Sequence, residues 1–109
     1  MTGGLGFIGK HLCKRLLDLG YIVISLDDEY ASTDDALDFI LDKCKTPERF
    51  RQVCGSVLDT SLVQSVMGQS IDLVFHLAAK LGVENVVKNR LETLETNVLG
   101  TMNVLEVAS

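Results

Sequence analysis

The stretch Thr2–Leu12, TGGLGFIGKHL, decides the fold of this chain. Its glycines at positions 3, 6 and 9 form a G-x-x-G-x-x-G pattern directly before an apolar, helix-like run. A helix begins with unpaired backbone N–H groups and partial positive charge, and a phosphate reaches those groups only where side chains are absent. We therefore expect Gly3 and Gly6 to leave room for a diphosphate, and Gly9 to let the helix pack closely on a sheet.

Helices and strands alternate along the rest of the chain. The spacing of apolar residues predicts helices at 7–19, 34–45, 60–67 and from about 90 to 109, and strands at 21–26, 50–57 and 71–78. The strands YIVISL and IDLVFHLA are apolar almost throughout, which is typical of strands buried on both faces of a sheet. The order therefore predicts an α/β fold with a Rossmann-like, doubly wound parallel sheet, as one domain over residues 1–109.

Apolar spacing also predicts which helix faces are buried. The expected contacts to the core are made by Ile8, Leu12, Leu16 and Leu19 in the first helix, by Leu37, Ile40, Leu41 and Cys44 in the second, and by Leu91, Leu94, Val98, Met102 and Leu105 in the last. Ser32–Thr33 is the expected cap of the second helix, and Asp59 or Thr60 that of the third, which should end at Gly68.

Composition excludes several classes of function. The formal net charge is −5, whereas nucleic-acid and membrane-surface binding depend on an excess of Lys and Arg. No apolar run approaches the ~20 residues that a membrane helix needs. Cys13, Cys44 and Cys54 lack C-x-x-C spacing, which predicts reduced thiols, no metal site and a cytoplasmic location. Cys13 and Cys54 are expected to be small core residues, and His11 to face solvent.

Asp27 follows the strand YIVISL about 20 residues after the glycines, where a dinucleotide fold places its acidic residue. A carboxylate there accepts hydrogen bonds from a ribose diol and repels a 2′-phosphate, and the next two residues are also acidic. The pattern thus predicts NAD rather than NADP as the cofactor. A doubly wound domain that binds another nucleotide, such as a flavin, is the alternative.

Three motifs resemble the extended short-chain dehydrogenase/reductase family, the NAD-dependent sugar-nucleotide epimerases and dehydratases. TGGLGFIG at 2–9 is similar to the family's TGGxGFIG, FHLAA at 75–79 to its H-x-A-A, and NVLGT at 97–101 to its N-x-x-G-T. They occur in the family's order and cover nearly the whole chain. The resemblance implies hydride transfer to and from tightly bound NAD, on a nucleotide-diphosphate sugar.

The resemblance also implies a role for each matching residue. Around the cofactor it places Gly3, Gly6, Phe7, Ile8, Gly9, Asp27, Ser56, Val57, Leu77, Ala78, Ala79, Lys80 and Asn97. Within this set, Asn97 would brace the strand ends and Lys80 would point towards the nicotinamide ribose or the substrate. Ser56 stands where the family commonly has Asp beside the adenine. His76 is interpreted as a structural, hydrogen-bonded residue.

The family's catalytic Y-x-x-x-K motif is not found here, since Tyr21 is followed four residues later by Ser25, and Tyr30 by Asp34. No catalytic residue is therefore assigned, and the chain alone is expected to be inactive. We expect a fragment that lacks the first strand and the C-terminal half of a longer enzyme, and a homodimer at full length. The alternative is a non-catalytic NAD-binding sensor or scaffold of the same fold.

Overall fold

Two parallel strands and the helices around them form the computed structural model, which describes the side chains of residues 1–84 and 87–109. The strands are β1 (Val23–Asp27) and β2 (Phe50–Cys54). The helices are α1 (Phe7–Asp18), α2 (Ala36–Leu41), α3 (Thr60–Met67), α4 (Val83–Lys88), α5 (Arg90–Leu94) and α6 (Gly100–Ala108), with a 3₁₀ turn at Pro47–Arg49 and a π-helical turn at Glu95–Leu99. The predicted α/β fold class is confirmed, and helices and strands alternate as predicted from α1 to α3.

The sheet has the strand order expected for a Rossmann-like fold. β1 pairs with β2 from Val23↔Phe50 to Asp27↔Cys54. On the other side of β1, Thr2 makes single parallel bridges to Leu26 and to His76. The spatial order is therefore β2, β1, Thr2 and His76, which matches the first four positions of the 3-2-1-4-5-6 strand order of a Rossmann fold. The start of the chain occupies the central position between β1 and the segment that contains His76.

The predicted strand 71–78 is wrong as a continuous strand. Only His76 pairs, and Leu73 is 66% exposed. A strand is held by backbone hydrogen bonds along its length, and here they are the bonds to Thr2, whose N–H donates to the Phe75 carbonyl at 2.9 Å and whose carbonyl accepts from the Leu77 N–H at 3.1 Å. Earlier residues of the segment face no neighbouring strand in the described chain.

α1 buries a face that only partly overlaps the predicted one, since Leu16 of the predicted set is half-buried and packs against the core. Its buried residues are Gly9, Lys10, Cys13 and Leu17, whereas Ile8 and Leu19 are exposed. Positions 9, 13 and 17 recur every four residues, so they form one stripe along the helix. The stripe faces a core that also contains Leu5, Val23, Ala36 and Ile40. Burial raises the pKa of the Cys13 thiol to about 11, so it stays protonated as a core residue, as predicted.

α2 is shorter than predicted, and of the predicted core residues within it only Ile40 is buried. It begins at Ala36 rather than after Thr33, and it buries Ala36 and Ile40 while Leu37 and Leu41 are exposed. Neither Ser32 nor Thr33 caps it, since the N-cap position is Asp35. The Ser32 hydroxyl donates to the Glu29 carbonyl, and the Thr33 hydroxyl accepts from Lys10 Nζ at 3.1 Å. The predicted burial of Cys54 is also wrong, since Cys54, the last residue of β2, is exposed.

α3 agrees closely with the sequence. The Asp59 carboxylate accepts from the Leu62 N–H at 3.0 Å, and the helix ends at Met67 with Gly68 as its C-cap. Val63 packs with Leu26, Val57 and Val104 in a second core cluster. The first-turn cap and the terminal glycine could both be predicted from a few neighbouring residues, since each acts on backbone groups within one turn.

The carboxyl-terminal helix runs from α5 through the π-helical turn into α6 and exposes its predicted apolar stripe. Leu91, Leu94, Val98, Met102 and Leu105 are each half or more exposed. The buried side is formed instead by Thr93, Thr96, Gly100 and Val104. A Cβ at Gly100 would lie 2.5 Å from Val57 Cγ2, so the small residue lets this helix approach the core. Among the described residues, no helix is long and apolar enough to cross a membrane.

Candidate functional site

Glycine is required at different positions of the first loop for different structural reasons. Gly3 has a φ of +68°, and a Cβ there would lie 2.7 Å from the Ala78 backbone nitrogen. A Cβ at Gly9 would lie 2.0 Å from the Gly3 carbonyl oxygen. The predicted packing of Gly9 on the sheet is therefore corrected: Gly9 packs on the loop itself. Both residues are required by the chain's own folding.

Gly6 differs from these two glycines. Its φ is −71°, which any residue adopts. A Cβ at Gly6 would meet only the Gly3 carbonyl oxygen, at 3.4 Å. Gly6 is the N-cap of α1, and no side chain that the structure describes caps the helix. The first-turn N–H groups of a helix have no partner within the helix, so the bare N-cap leaves them accessible to an anion.

Asp27 lies at the end of β1 and is 7% exposed. Its Oδ2 accepts from the Leu5 N–H at 2.9 Å, and its Oδ1 accepts from the Glu29 N–H at 2.8 Å. The carboxylate thus joins the glycine loop to the loop that follows β1. Each carboxylate oxygen has a second lone pair, so Asp27 can still accept hydrogen bonds from a ligand hydroxyl.

A cavity of about 680 Å³ lies at the carboxyl ends of the strands. This volume is within the range of small-molecule and cofactor sites. Every predicted site residue except Asn97 lines it: Gly3, Gly6, Phe7, Ile8, Gly9, Asp27, Ser56, Val57, Leu77, Ala78, Ala79 and Lys80. The fold therefore brings the first two sequence motifs and Asp27 to one cleft, at the edge where ligands bind in open α/β sheets, whereas no residue of the third motif, at 97–101, lines it. Their contacts with a cofactor stay a prediction.

Asn97 acts on the cleft through Lys80. Its Oδ1 accepts from the Lys80 N–H at 2.7 Å, and its Nδ2 donates to the Lys80 carbonyl at 3.0 Å. Both backbone groups of Lys80 are therefore held by one side chain. Asn97 thus braces the Lys80 backbone, and its predicted role at the cofactor stays a prediction.

His76 belongs to a chain of hydrogen bonds beneath the cleft. The Thr2 hydroxyl accepts from the N–H groups of Leu77 and Ala78, both at 3.2 Å, so its proton is free for His76 Nδ1 at 2.6 Å. His76 Nε2 then donates to the Thr101 hydroxyl at 3.0 Å, and that hydroxyl donates to the Asn97 carbonyl at 2.7 Å. Burial lowers the pKa of His76. This pattern supports a neutral, structural histidine.

Sequence reasoning missed several cavity residues. Tyr30 and Ala31 follow β1, Leu81 follows Lys80, and Thr96 lies in the π-helical turn. The first three stand in loops just after strand positions, which was the available signal. Ser56 was predicted beside an adenine, but its hydroxyl accepts from the Leu58 N–H at 3.1 Å and so also stabilises its own turn.

Comparisons with known proteins agree with this geometry. The family model described as GDP-mannose 4,6 dehydratase matches residues 1–109. The UDP-N-acetyl-alpha-D-glucosaminuronate decarboxylase of Bacillus cytotoxicus is 36% identical over 112 residues, which span 99% of this chain and 32% of that protein. The dTDP-D-glucose 4,6-dehydratase of Dictyostelium discoideum is 35% identical over 111 residues, 97% of this chain and 24% of that protein.

Solved structures show the same relationship. UDP-glucose 4-epimerase from Bifidobacterium longum, in complex with NAD+ and UDP, superposes with a TM-score of 0.86 at 34% identity, over 97% of this chain and 31% of that one. DesIV, a dTDP-glucose 4,6-dehydratase from Streptomyces venezuelae with NAD and TYD bound, gives 0.82 at 32% identity, over 98% of this chain and 34% of that one. This chain therefore spans at most about a third of each of these relatives. Because the family model matches from the first residue to the last, the chain belongs to the GDP-mannose 4,6 dehydratase family and has its Rossmann-type α/β fold.

Proposed function

We propose that this chain forms the NAD-binding part of a sugar-nucleotide epimerase, dehydratase or decarboxylase. The observation that carries the proposal is the cleft in which the uncapped start of α1, Gly6 and Asp27 meet. An uncapped helix start suits a diphosphate, and a buried carboxylate at the end of the adjacent strand suits a ribose diol. The relatives crystallised with NAD support the same choice.

Different residues of the cleft bind different parts of the cofactor. The Gly6 N-cap leaves the backbone of the first turn of α1 open to the diphosphate, and Asp27 receives the adenosine ribose. Ala78 and Ala79 supply small side chains along the cavity wall. Bound NAD supplies a reversible hydride acceptor. The wall formed by these residues orients it and excludes water from one side.

The substrate we propose is a nucleotide-diphosphate sugar, because the matched relatives are named for such sugars. We also propose a cytoplasmic homodimer. The exposed stripe formed by Leu91, Leu94, Val98, Met102 and Leu105 supports the dimer, since a contiguous exposed apolar face typically marks a protein interface. Sedimentation velocity should give twice the protomer mass, and Leu94→Glu should give the monomer.

Calorimetric titration of the protein at its full gene-encoded length tests the cofactor. We expect NAD+ to bind, NADP+ to bind at least about tenfold more weakly (about 1.4 kcal/mol), and FAD not to bind. Gly6→Val should weaken NAD+ binding by about tenfold or more while thermal unfolding stays near that of the unchanged protein, because the added side chain enters the cleft rather than the core.

Asp27→Asn should weaken NAD+ binding as well, and Asp72→Asn is its matched control because Asp72 is exposed and outside the cavity. Equal NAD+ affinity in all of these variants would contradict the proposed site. Tighter binding of FAD than of NAD+ would favour the flavin alternative.

A further inference from the structure

Tyr30 and Lys80 meet at the cavity although they come from different loops. Tyr30 belongs to the loop after β1, and Lys80 follows the segment that contains His76; both line the cavity. The Lys80 ammonium lies 4.4 Å from the centre of the Tyr30 ring. A cation this close to an aromatic face is attracted by the ring's quadrupole. The contact therefore links two sides of the cleft.

Glu92, in α5, contacts the same ammonium and so provides its second restraint. Its Oε1 forms an ion pair with Lys80 Nζ, and the Lys80 side chain is 12% exposed. The hydrogen bond that Lys80 Nζ donates to the Glu92 carboxylate raises the pKa of Lys80, which keeps the amine charged. Among the described residues that line the cavity, Lys80 is the only lysine or arginine. The fold thus places one positive charge at this cleft and restrains it from two sides.

The loop that carries Tyr30 is held independently of Tyr30's ring. Glu29 has a φ of +62°, and its N–H donates to Asp27 Oδ1 while its carbonyl accepts from the Ser32 hydroxyl at 3.0 Å. At the far end of the loop, Lys10 pairs with Asp35 at 3.0 Å. A change confined to the ring should therefore leave the loop's backbone in place.

We propose that Tyr30 and Glu92 are positioning residues that hold Lys80 at the wall of the dinucleotide cleft, and that the Tyr30–Lys80 contact slows release of bound NAD. This clasp, made of Tyr30, Lys80 and Glu92, rests on the proposed function. Release requires the two loops to separate. Separation breaks the cation–π contact, so the contact adds to the barrier for dissociation and acts mainly on the off-rate.

Stopped-flow release of NAD from the full-length protein tests the clasp. Tyr30→Leu keeps an apolar side chain but removes the aromatic face, and we expect release about fivefold faster. Tyr30→Phe retains the ring, so its release rate should stay within about twofold of the unchanged protein. Tyr21→Leu is the matched control, because Tyr21 is 54% exposed against 56% for Tyr30 and lies outside the cavity.

An NMR measurement reads the contact without any cofactor. The ring current of Tyr30 should shift the Lys80 ε-methylene signals upfield. The shift should vanish in Tyr30→Leu, persist in Tyr30→Phe, and shrink in Glu92→Gln. The exposed Glu84–Lys88 pair gives the matched control Glu84→Gln, which should leave the shift unchanged.

The outcomes separate the two proposals. If the unchanged protein takes up no NAD, the proposed function fails and the clasp fails with it. If NAD binds but Tyr30→Leu releases it at the original rate, or Tyr30→Phe releases it as fast as Tyr30→Leu, the clasp alone is overturned. An absent upfield shift in the unchanged protein also overturns the clasp.

Discussion

β1 and the segment 71–75 have similar apolar sequences, VISLD and IDLVF, but the first is a buried strand and the second is exposed and irregular. β1 pairs with β2 on one side and with the Met1–Thr2 backbone on the other, and four of its five residues are buried. Among the described residues the segment 71–75 pairs with no strand, its Phe75 carbonyl alone accepting from the Thr2 N–H, and its residues are exposed. The difference teaches that an apolar run indicates side chains that favour burial. A strand forms only where the backbone of a neighbouring segment completes its hydrogen bonds.

The largest effect is expected on the β1 side, where the glycine loop packs on its own backbone. Gly9→Ala places a Cβ 2.0 Å from the Gly3 carbonyl oxygen. Because backbone cannot move aside as a flexible side chain can, we expect a loss of about 3 kcal/mol or more in the free energy of unfolding. Urea unfolding followed by circular dichroism measures it.

Gly6→Ala is the control for that prediction, since its Cβ meets only one atom, at 3.4 Å. Its unfolding free energy should change by less than about 1 kcal/mol. Equal losses in the two variants would contradict the distinction between a glycine required for packing and a glycine required for an open cleft.

A matched pair of truncations compares the two apolar runs directly. Val23 in β1 is 4% exposed, and Leu73 is 66% exposed. Val23→Ala should lose about 2 kcal/mol of unfolding free energy, through lost burial and a cavity. Leu73→Ala should change it by less than about 0.5 kcal/mol, although it removes the larger side chain. A Leu73→Ala loss as large as that of Val23→Ala would show that the segment 71–75 is covered in solution.

Acid should weaken the junction between the two regions at His76. Burial lowers the pKa of His76 in the folded protein, so the unfolded state binds more protons as the pH falls through the ordinary histidine pKa. Stability from this group is therefore complete above about pH 6.5 and decreases below it. The unfolding free energy measured from about pH 7.5 to 5.5 should show this slope. The slope should diminish in His76→Gln and persist in His11→Gln, because His11 is exposed.

The smallest effect is expected at Ser25, inside β1. Its side chain is fully buried, and its hydroxyl has no hydrogen-bond partner among the described residues. Ser25→Ala removes an unsatisfied polar atom, so the unfolding free energy should stay the same or rise by up to about 1 kcal/mol. Thr33→Ala contrasts with it, because the Thr33 hydroxyl accepts from Lys10; that variant should lose stability. A clear loss in Ser25→Ala would indicate a partner that the structure does not show.

Local physics made much of the fold readable from sequence. The cap at Asp59 and the end of α3 at Gly68 act within one turn of backbone. Gly20, with a φ of +88°, follows the C-cap of α1, where a glycine is favoured. Twelve of the 19 described residues that line the cavity were also predicted from the sequence, because parallel strands bring their carboxyl ends to one edge whatever their exact length. The match of the family model confirmed the resemblance that the motifs had indicated.

Tertiary structure alone decided which surfaces are covered. The buried face of α1, with Cys13 and Leu17 rather than Ile8 and Leu19, depends on where the glycine loop and the second helix lie. The same holds for the exposed segment 71–75 and for the meeting of Tyr30 with Lys80 across the cleft. The sequence by itself determined the spacing of apolar residues along the chain and the residue types that follow the strands, since both are properties of neighbouring residues. Burial and long-range contacts depend on residues distant along the chain, and only the folded arrangement brings those together.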